Sequence, residues 1–442
     1  MRVAWSRPSR RHAALVTTVT AVGSVTLGAL HAGAALAQSP PQAVSPPKAQ
    51  AWIDVATFSG MGMPGMGGMP GMAGGGGEAN PMAMIGSLLG GGGAPGGARN
   101  NFGQTRSMQS GRWVDVTLRG PAALAEARQQ VPPGFLSPAL QLVSPQQPPA
   151  RPVPEREADD VVLEPEVQKP RGRMLLYWGC GAAVRQGQPR VLDFATMSTA
   201  DLGRFFVSRG ATGRGAHSTP GRPVWPNPSD ARMVLAGASL VGEHQFSGSG
   251  VPENFRFAIP AAQDLMPALA LQQKATGEAT ELSWNAIGSA RAYFASAMGA
   301  GAGGREEMVL WTSSEEADTG FGLGDYQTNA AIDRWLREKI LLAPATTSCT
   351  VPAGIFAGQG AMIRLVAYGS ELNLAYPPRP TDPKVRWDPD WAVKVRVKSI
   401  AQGLLGMSEM PGMPGAEAPA AEAPEEKKPS STLDRLRGIL GR

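Results

Sequence analysis

The sequence predicts a mainly β protein with two sandwich-like domains, short helices, a long Met/Gly-rich disordered insertion and disordered termini. Many short segments alternate apolar with polar residues, as half-buried strands do. Gly and Pro, 56 and 40 of the 442 residues, are concentrated in a few segments that separate the alternating ones. The stretches with helical spacing are short. Together these observations favour a β architecture interrupted by low-complexity sequence.

The first 37 residues have the three parts of a secretory signal peptide. A basic stretch ends at Arg11, a mildly apolar stretch runs from Ala13 to Ala34, and a small-x-small cleavage site precedes Gln38. An uncleaved anchor is the alternative, but the glycines in this stretch make it a poor membrane span. We therefore expect a secreted, periplasmic protein with no transmembrane span after signal removal, followed by a flexible leader at residues 38–49.

The charge of the expected mature chain is nearly balanced. The formal net charge is +5, and removing the four arginines of the leader leaves 37 basic against 36 acidic residues. A nucleic-acid-binding protein usually carries a concentrated basic face. The balance therefore argues against a nucleic-acid partner.

The predicted N-terminal β domain spans residues 50–259. Trp52-Ile-Asp-Val55 and its near copy Trp113-Val-Asp-Val116 are predicted to be half-buried strands of one sheet. Between them, residues 60–110 form the disordered insertion, which costs little because closure entropy grows only logarithmically with loop length. Residues 132–170 are Pro-rich and expected to be extended. The other predicted elements are a short helix at 121–130, a strand pair at 173–180 and 189–194, a helix opening at Ser198, and strands at 238–246 and 254–259.

The predicted second domain spans residues 260–404. A helix is indicated by Ile332, Trp335, Leu336 and Ile340 at helical spacing. The first predicted strand begins at Leu269, and the next two contain Trp284 and Tyr293. The remaining predicted strands span 308–313, 349–356, 362–368 and 391–397. Residues 405–442 are predicted to be a low-complexity tail with a short amphipathic end.

One segment, residues 281–314, resembles a known β module. Trp284, Ala290 and Tyr293 follow a Trp-x-x-x-x-x-Ala-x-x-Tyr pattern. This pattern is similar to the second and third strands of fibronectin type III or immunoglobulin-like domains, where a Trp meets a Tyr across the core. The resemblance implies a sandwich architecture and no particular activity.

The two cysteines, Cys180 and Cys349, would lie in an oxidising compartment after secretion. We interpret them as a disulfide, since no Cys-x-x-Cys redox motif is present. Two buried free thiols are the alternative.

Thioethers are concentrated in the predicted insertion. They are Met61, Met63, Met66, Met69 and Met72, and Met407, Met410 and Met413 repeat the pattern near the other end of the chain. Thioethers suit soft ions such as Cu(I) or Ag(I). A spacer produced by repeat expansion is the simpler interpretation. We therefore assign no cofactor to the chain, and Cu(I) is the alternative.

Lys394, Arg396 and Lys398 alternate with valines in the last predicted strand, which would give it one buried and one basic face. Such a face could bind a polyanion such as lipopolysaccharide phosphate or an acidic glycan. A solvated strand face without a ligand is the alternative.

The sequence assigns no catalytic residue. There is no Gly-x-Ser-x-Gly elbow and no His-Glu-x-x-His motif. We therefore expect a non-catalytic binding or scaffold protein of the bacterial cell envelope, with an envelope protein or glycan as partner. A carbohydrate-active enzyme or glycan-binding protein is a further alternative, in which two carboxylates would flank a cleft or Trp178, Trp225 and Trp387 would stack on sugars.

Overall fold

The computed structural model describes residues 42–60, 102–107, 109–146, 172–210, 215–301, 303–356 and 361–406. The predicted mainly β class is confirmed. The predicted signal peptide, the C-terminal tail beyond residue 406, and most of the insertion and of the Pro-rich segment lie outside the described residues.

The described residues before 260 form nine strands. They are β1 (Ala49–Gly60), β2 (Gly111–Arg119), β3 (Glu126–Gln130), β4 (Ala139–Val143), β5 (Arg173–Trp178), β6 (Arg190–Asp193), β7 (Val224–Trp225), β8 (Gly242–Ser247) and β9 (Arg256–Ile259). A short helix, α1 (Thr199–Phe205), follows β6.

Eight strands and one helix follow in the rest of the described chain. The strands are β10 (Gln272–Thr276), β11 (Ala279–Ser283), β12 (Ala292–Gly301), β13 (Gly304–Thr312), β14 (Ser348–Val351), β15 (Met362–Tyr368), β16 (Leu372–Tyr376) and β17 (Trp391–Leu404). The helix is α2 (Asn329–Arg337), between β13 and β14.

A 14-stranded mixed sheet organises the molecule. Its strand order is β6-β5-β13-β12-β15-β17-β1-β2-β7-β4-β3-β8-β9, with β16 paired to β17. Two of its pairings are parallel, β1 with β17 and β5 with β13. Both join strands from the two predicted domains, so the sheet continues across the expected boundary near residue 260.

The two faces of the sheet bury different side chains. Ile53 and Val55 of β1 point to the first face, where a large apolar cluster includes Trp284 and Leu282 next to the separate sheet β10-β11-β14. Ala56 and Phe58 point to the second face and pack with Ile332 and Trp335 of α2. Because both faces are covered, the middle strands are buried on both sides.

Several local predictions are confirmed. The Trp52 and Trp113 segments form antiparallel neighbours, with Ile53 opposite Val116, although both strands are buried on both faces and not half-buried as predicted. Ser198 caps α1, since its side chain accepts from the Asp201 N–H and the Asp201 carboxylate accepts from the Ser198 N–H. The rings of Trp284 and Tyr293 meet with centroids 5.6 Å apart. The fibronectin type III resemblance itself stays a prediction.

The predicted helix at residues 121–130 is wrong. Residues Glu126–Gln130 form β3, in which Ala127 and Gln129 are buried and the other three residues are exposed. This strand pairs with both β4 and β8. The partner strands complete its backbone hydrogen bonds, and this tertiary pairing overrides the helix propensity of Glu, Ala and Arg.

Candidate functional site

A group of ionisable side chains lies inside the molecule on the second face of the sheet. We call Asp54, Asp115, Asp325, Tyr326, Arg396 and Lys398 the buried charge cluster. Asp54 on β1 lies opposite Arg396 on β17 and opposite Asp115 on β2. Strand register therefore places the Arg396 guanidinium and the Asp115 carboxylate beside the Asp54 carboxylate.

A fully buried ion pair forms the centre of the cluster. Arg396 donates from Nε to Asp54 Oδ1 over 2.7 Å and from Nη2 to Asp54 Oδ2 over 2.6 Å. Each side chain is 1% exposed. The backbone N–H of Ala216 also donates to Asp54 Oδ2, over 3.0 Å. A bidentate pair with an additional donor is the geometry that compensates best for the loss of water around both charges.

Tyr326 covers two cations of β17. Its ring centroid lies 4.4 Å from Arg396 Cζ and 4.3 Å from Lys398 Nζ. Lys398 Nζ also contacts Gly324 O at 3.4 Å and Asp325 Oδ1 at 3.5 Å. Both cations are therefore stabilised by the negative face of an aromatic ring as well as by carboxylates.

Burial changes the protonation of the cluster. Burial, together with the charge of Asp54, raises the pKa of Asp115 to about 7, although Thr105 and the Gly103 N–H hydrogen-bond to this carboxylate. Burial lowers the pKa of Lys398 to about 8, against the attraction of Asp325 and Asp54. Burial also raises the pKa of Tyr326. For Asp325, burial is outweighed by the charges of Lys398 and Arg106, which hold its pKa below the usual value.

Perturbed ionisable groups are typical of active sites, but they also occur in structural ion-pair networks. In this cluster Asp54, Asp115, Arg396 and Lys398 are at most 2% exposed. The partners of the sheet residues come from covering segments: Gly103 and Thr105, Ala216, and the loop holding Gly324 to Tyr326. These contacts attach three covering segments to the sheet. They also enclose Asp54 and Asp115, so that a bulky substrate such as a glycan does not reach these two carboxylates.

The expected basic stripe of Lys394, Arg396 and Lys398 is not at the surface. Lys394 is 16% exposed and its Nζ lies 2.9 Å from Glu371 Oε2, and Arg396 and Lys398 belong to the buried charge cluster. The physical reason is the position of β17, which lies between β1 and β15 and is covered on both faces. Alternation along this strand therefore separates two covered faces, and the three cations do not form an exposed basic stripe.

The remaining predicted residues fall in different places. The Sγ atoms of Cys180 and Cys349 lie 2.06 Å apart, which joins the segment after β5 to β14. Trp225 is buried, and Trp178 and Trp387 are half-buried. Met61, Met63, Met66, Met69 and Met72 lie outside the described residues.

The described strands do show where the two Met/Gly segments begin. β1 and β17 are parallel neighbours, and Gly60 lies opposite Gln402. Met61 follows Gly60 directly, and Met407 follows Gly406, two residues beyond the end of β17. Both strands therefore lead into Gly-Met-Pro sequence at the same end of the sheet.

Sequence reasoning missed the buried charge cluster. A signal was present, because Asp54 and Asp115 occupy equivalent places in two near-copies of one strand motif. A polar residue repeated inside an apolar strand pattern indicates a buried, partnered group. Asp325 and Tyr326 carried no such signal, since they lie in a loop whose packing depends on the whole fold.

Comparisons with known proteins give no relative: no protein-family model matches the chain, and no curated protein matches it. In the described ranges, His, Cys, Asp and Glu form no group of three or more arranged to hold a metal ion. None of the helices in that part of the chain has the length and apolar character needed to cross a membrane.

Proposed function

We propose that the chain is a secreted, periplasmic binding or scaffold protein of the bacterial cell envelope, without catalytic activity. The proposal is supported by the parallel pairing of β1 with β17, which places Gly60 and Leu404 at the same end of one sheet, shortly before two Gly-Met-Pro segments of the sequence. Two segments of similar composition that start at the same end of a sheet can bind one partner together. After the first segment has bound, binding of the second becomes intramolecular, which raises the overall affinity.

Two long-range contacts hold together the fold from which the two segments start. The Asp54–Arg396 pair joins the middle of β1 to the middle of β17. The cysteine pair connects residues 169 positions apart in sequence. A support of this kind keeps the starting points of the two segments fixed, which limits the entropy lost when both bind.

The test is retention on isolated envelopes of the native host. One variant replaces every Met of residues 61–72 and 407–413 by Ser, and the control variant replaces exposed Met233. We expect the first variant to lose sedimentation with envelopes while its urea unfolding midpoint stays unchanged, and the control to sediment like the wild type. Wild-type retention of the first variant would contradict the proposal.

Soft-metal binding is the second candidate function. The same parallel pairing favours it, because it starts two thioether-rich segments side by side, and several thioethers around one ion suit Cu(I) or Ag(I). Intact, non-reducing mass spectrometry with Cu(I) under anaerobic conditions tests it. We expect added copper mass that is lost when Met61, Met63, Met66, Met69 and Met72 become Leu. No uptake by the wild type would eliminate this candidate.

A further inference from the structure

One edge of the large sheet is open to a further strand. The described sheet ends at β6 (Arg190–Asp193), whose paired neighbour is β5. An unpaired edge presents free backbone N–H and C=O groups and is a template for another strand. Val191 in the middle of β6 is 51% exposed, and an open groove lined by Leu192, Met197 and Phe205 lies between the strand and α1. The edge is therefore accessible.

Strand register shows which backbone groups of β6 point outward. Phe194 N–H donates to Gly172 O, just before β5. In an antiparallel pair every second residue faces the neighbouring strand, so Val191 N–H and C=O and Asp193 N–H point away from β5, as does Pro189 C=O. Within the described part of the chain, these four groups form no hydrogen bond.

The outward groups match those of a second β6 strand related by a two-fold axis at Val191. In antiparallel pairing centred there, the Val191 residues of the two copies exchange two hydrogen bonds, and Asp193 N–H of each copy donates to Pro189 C=O of the other. Pro189 has no N–H, and Asp193 C=O already accepts from Met197 N–H. These two groups would face each other, so the four bonds satisfy the whole edge.

The side chains of β6 also suit this pairing. The exposed Val191 side chains of the two copies would lie against each other across the axis, which removes apolar surface from water. Arg190 would lie opposite Leu192 of the second copy, beside the groove that Asp201 also lines. Like charges directly opposite each other destabilise a strand pair, and this register contains none.

The other edge of the sheet is not self-complementary. The described sheet ends there at β9, where Phe255 C=O accepts a hydrogen bond from β8, so Ala258, three residues further on, directs its backbone groups outward. In a two-fold pairing centred on Ala258, Arg256 would face Pro260, which has no N–H. Arg256 N–H already donates to Asn254 O. Only the central pair of bonds could form, so self-pairing is favoured at β6 and not at β9.

We propose that the protein forms a two-fold symmetric dimer by antiparallel pairing of β6 with β6 of a second copy. A two-fold homodimer uses the same patch on both subunits, which the self-complementary edge provides. A strand pair of this length buries little surface, and small interfaces belong to weak complexes. We therefore expect a dimer that dissociates on dilution, whether or not the Met/Gly segments bind a partner.

Sedimentation equilibrium of the full mature chain over a range of concentrations tests the dimer. Val191→Pro removes the outward N–H of both copies and leaves the bonds to β5, and proline is tolerated where the N–H of an edge strand faces solvent. Val191→Lys places two like charges on the axis. The matched controls are Ala258→Pro on the other edge and Val241→Lys, which changes a valine that is 40% exposed outside β6.

We expect the wild type and both controls to dimerise with the same dissociation constant. Both Val191 variants should raise it by about tenfold or more, because a lost hydrogen bond costs about 0.5–1.5 kcal/mol and two are lost in Val191→Pro. Hydrogen exchange locates the contact: peptides covering residues 189–194 should exchange more slowly at high than at low protein concentration, and peptides covering residues 256–259 should not.

Two results would overturn the dimer. A wild type that stays monomeric at its highest soluble concentration would leave the β6 edge to a strand of another protein. A dimer that Val191→Lys and Val191→Pro leave unchanged would place the interface elsewhere on the molecule.

Discussion

At the level of single residues, the Asp54–Arg396 pair is fully buried at the centre of the sheet. Asp54→Asn leaves Arg396 as a buried charge without its carboxylate, and removing one partner of a buried pair costs about 3–5 kcal/mol. Urea unfolding should show this loss. The matched control is Asp388→Asn, which breaks the Arg386–Asp388 pair, 66% and 54% exposed. Exposed pairs contribute little to stability because water and salt screen them, and an equal loss in the two variants would contradict the assignment.

Asp115 should make stability depend on pH. Its pKa is raised from 3.8 to about 7 in the folded protein, so between these values the folded state keeps a proton that the unfolded state has lost. The free energy of unfolding should therefore fall as pH rises from about 4 to about 7, and then level off. Urea unfolding across this range should show a weaker decline for Asp115→Asn than for the wild type. Identical slopes would show that Asp115 is not desolvated.

At the scale of elements, the segment around Gly215 approaches the sheet closely. A Cβ at this position would overlap Arg396 Nη2 and lie 2.6 Å from Asp54 Oδ2. Gly215→Ala should therefore displace the buried ion pair and destabilise the protein by at least about 1–3 kcal/mol, as overpacking does.

The control for Gly215→Ala is Gly203→Ala in α1, where a Cβ meets no atom within 4 Å. A Gly-to-Ala change inside a helix stabilises by about 0.5–1 kcal/mol. Thermal unfolding should thus shift in opposite directions for the two variants. A shift in the same direction for both would contradict the close contact at Gly215.

Local patterns predicted those elements whose structure depends on nearby residues. The Trp52 and Trp113 strands, the Ser198 cap and the helix at Ile332 follow from alternation, capping chemistry and helical spacing within about ten residues. The burial of Arg396 could not be predicted in this way, because its partner Asp54 is 342 positions away. The strand at Glu126–Gln130 was also not predicted, because its extended backbone depends on pairing with β4 and β8 and not on its own residues.

At the scale of the whole molecule, the cysteine pair encloses a long part of the chain. Cys180 and Cys349 are separated by 169 residues, and closing so long a loop lowers the entropy of the unfolded state by an amount worth about 5 kcal/mol. The Cys180→Ser/Cys349→Ser double variant should lose a large part of this free energy of unfolding, measured in urea without reductant. An unchanged midpoint, with free thiols detected in the wild type, would contradict the cross-link.

The parallel pairing of β1 with β17 is also a property of the whole fold, because it unites the two ends of the described chain. We propose that this pairing makes the two Met/Gly segments act together. The most direct test is a double-replacement cycle on envelope retention, in which Met61–Met72, Met407–Met413, or both have their methionines changed to Ser. We expect either replacement alone to remove most of the affinity, so that the loss from both together is smaller than the sum of the two single losses. Additive losses, or retention that depends on neither segment, would contradict it.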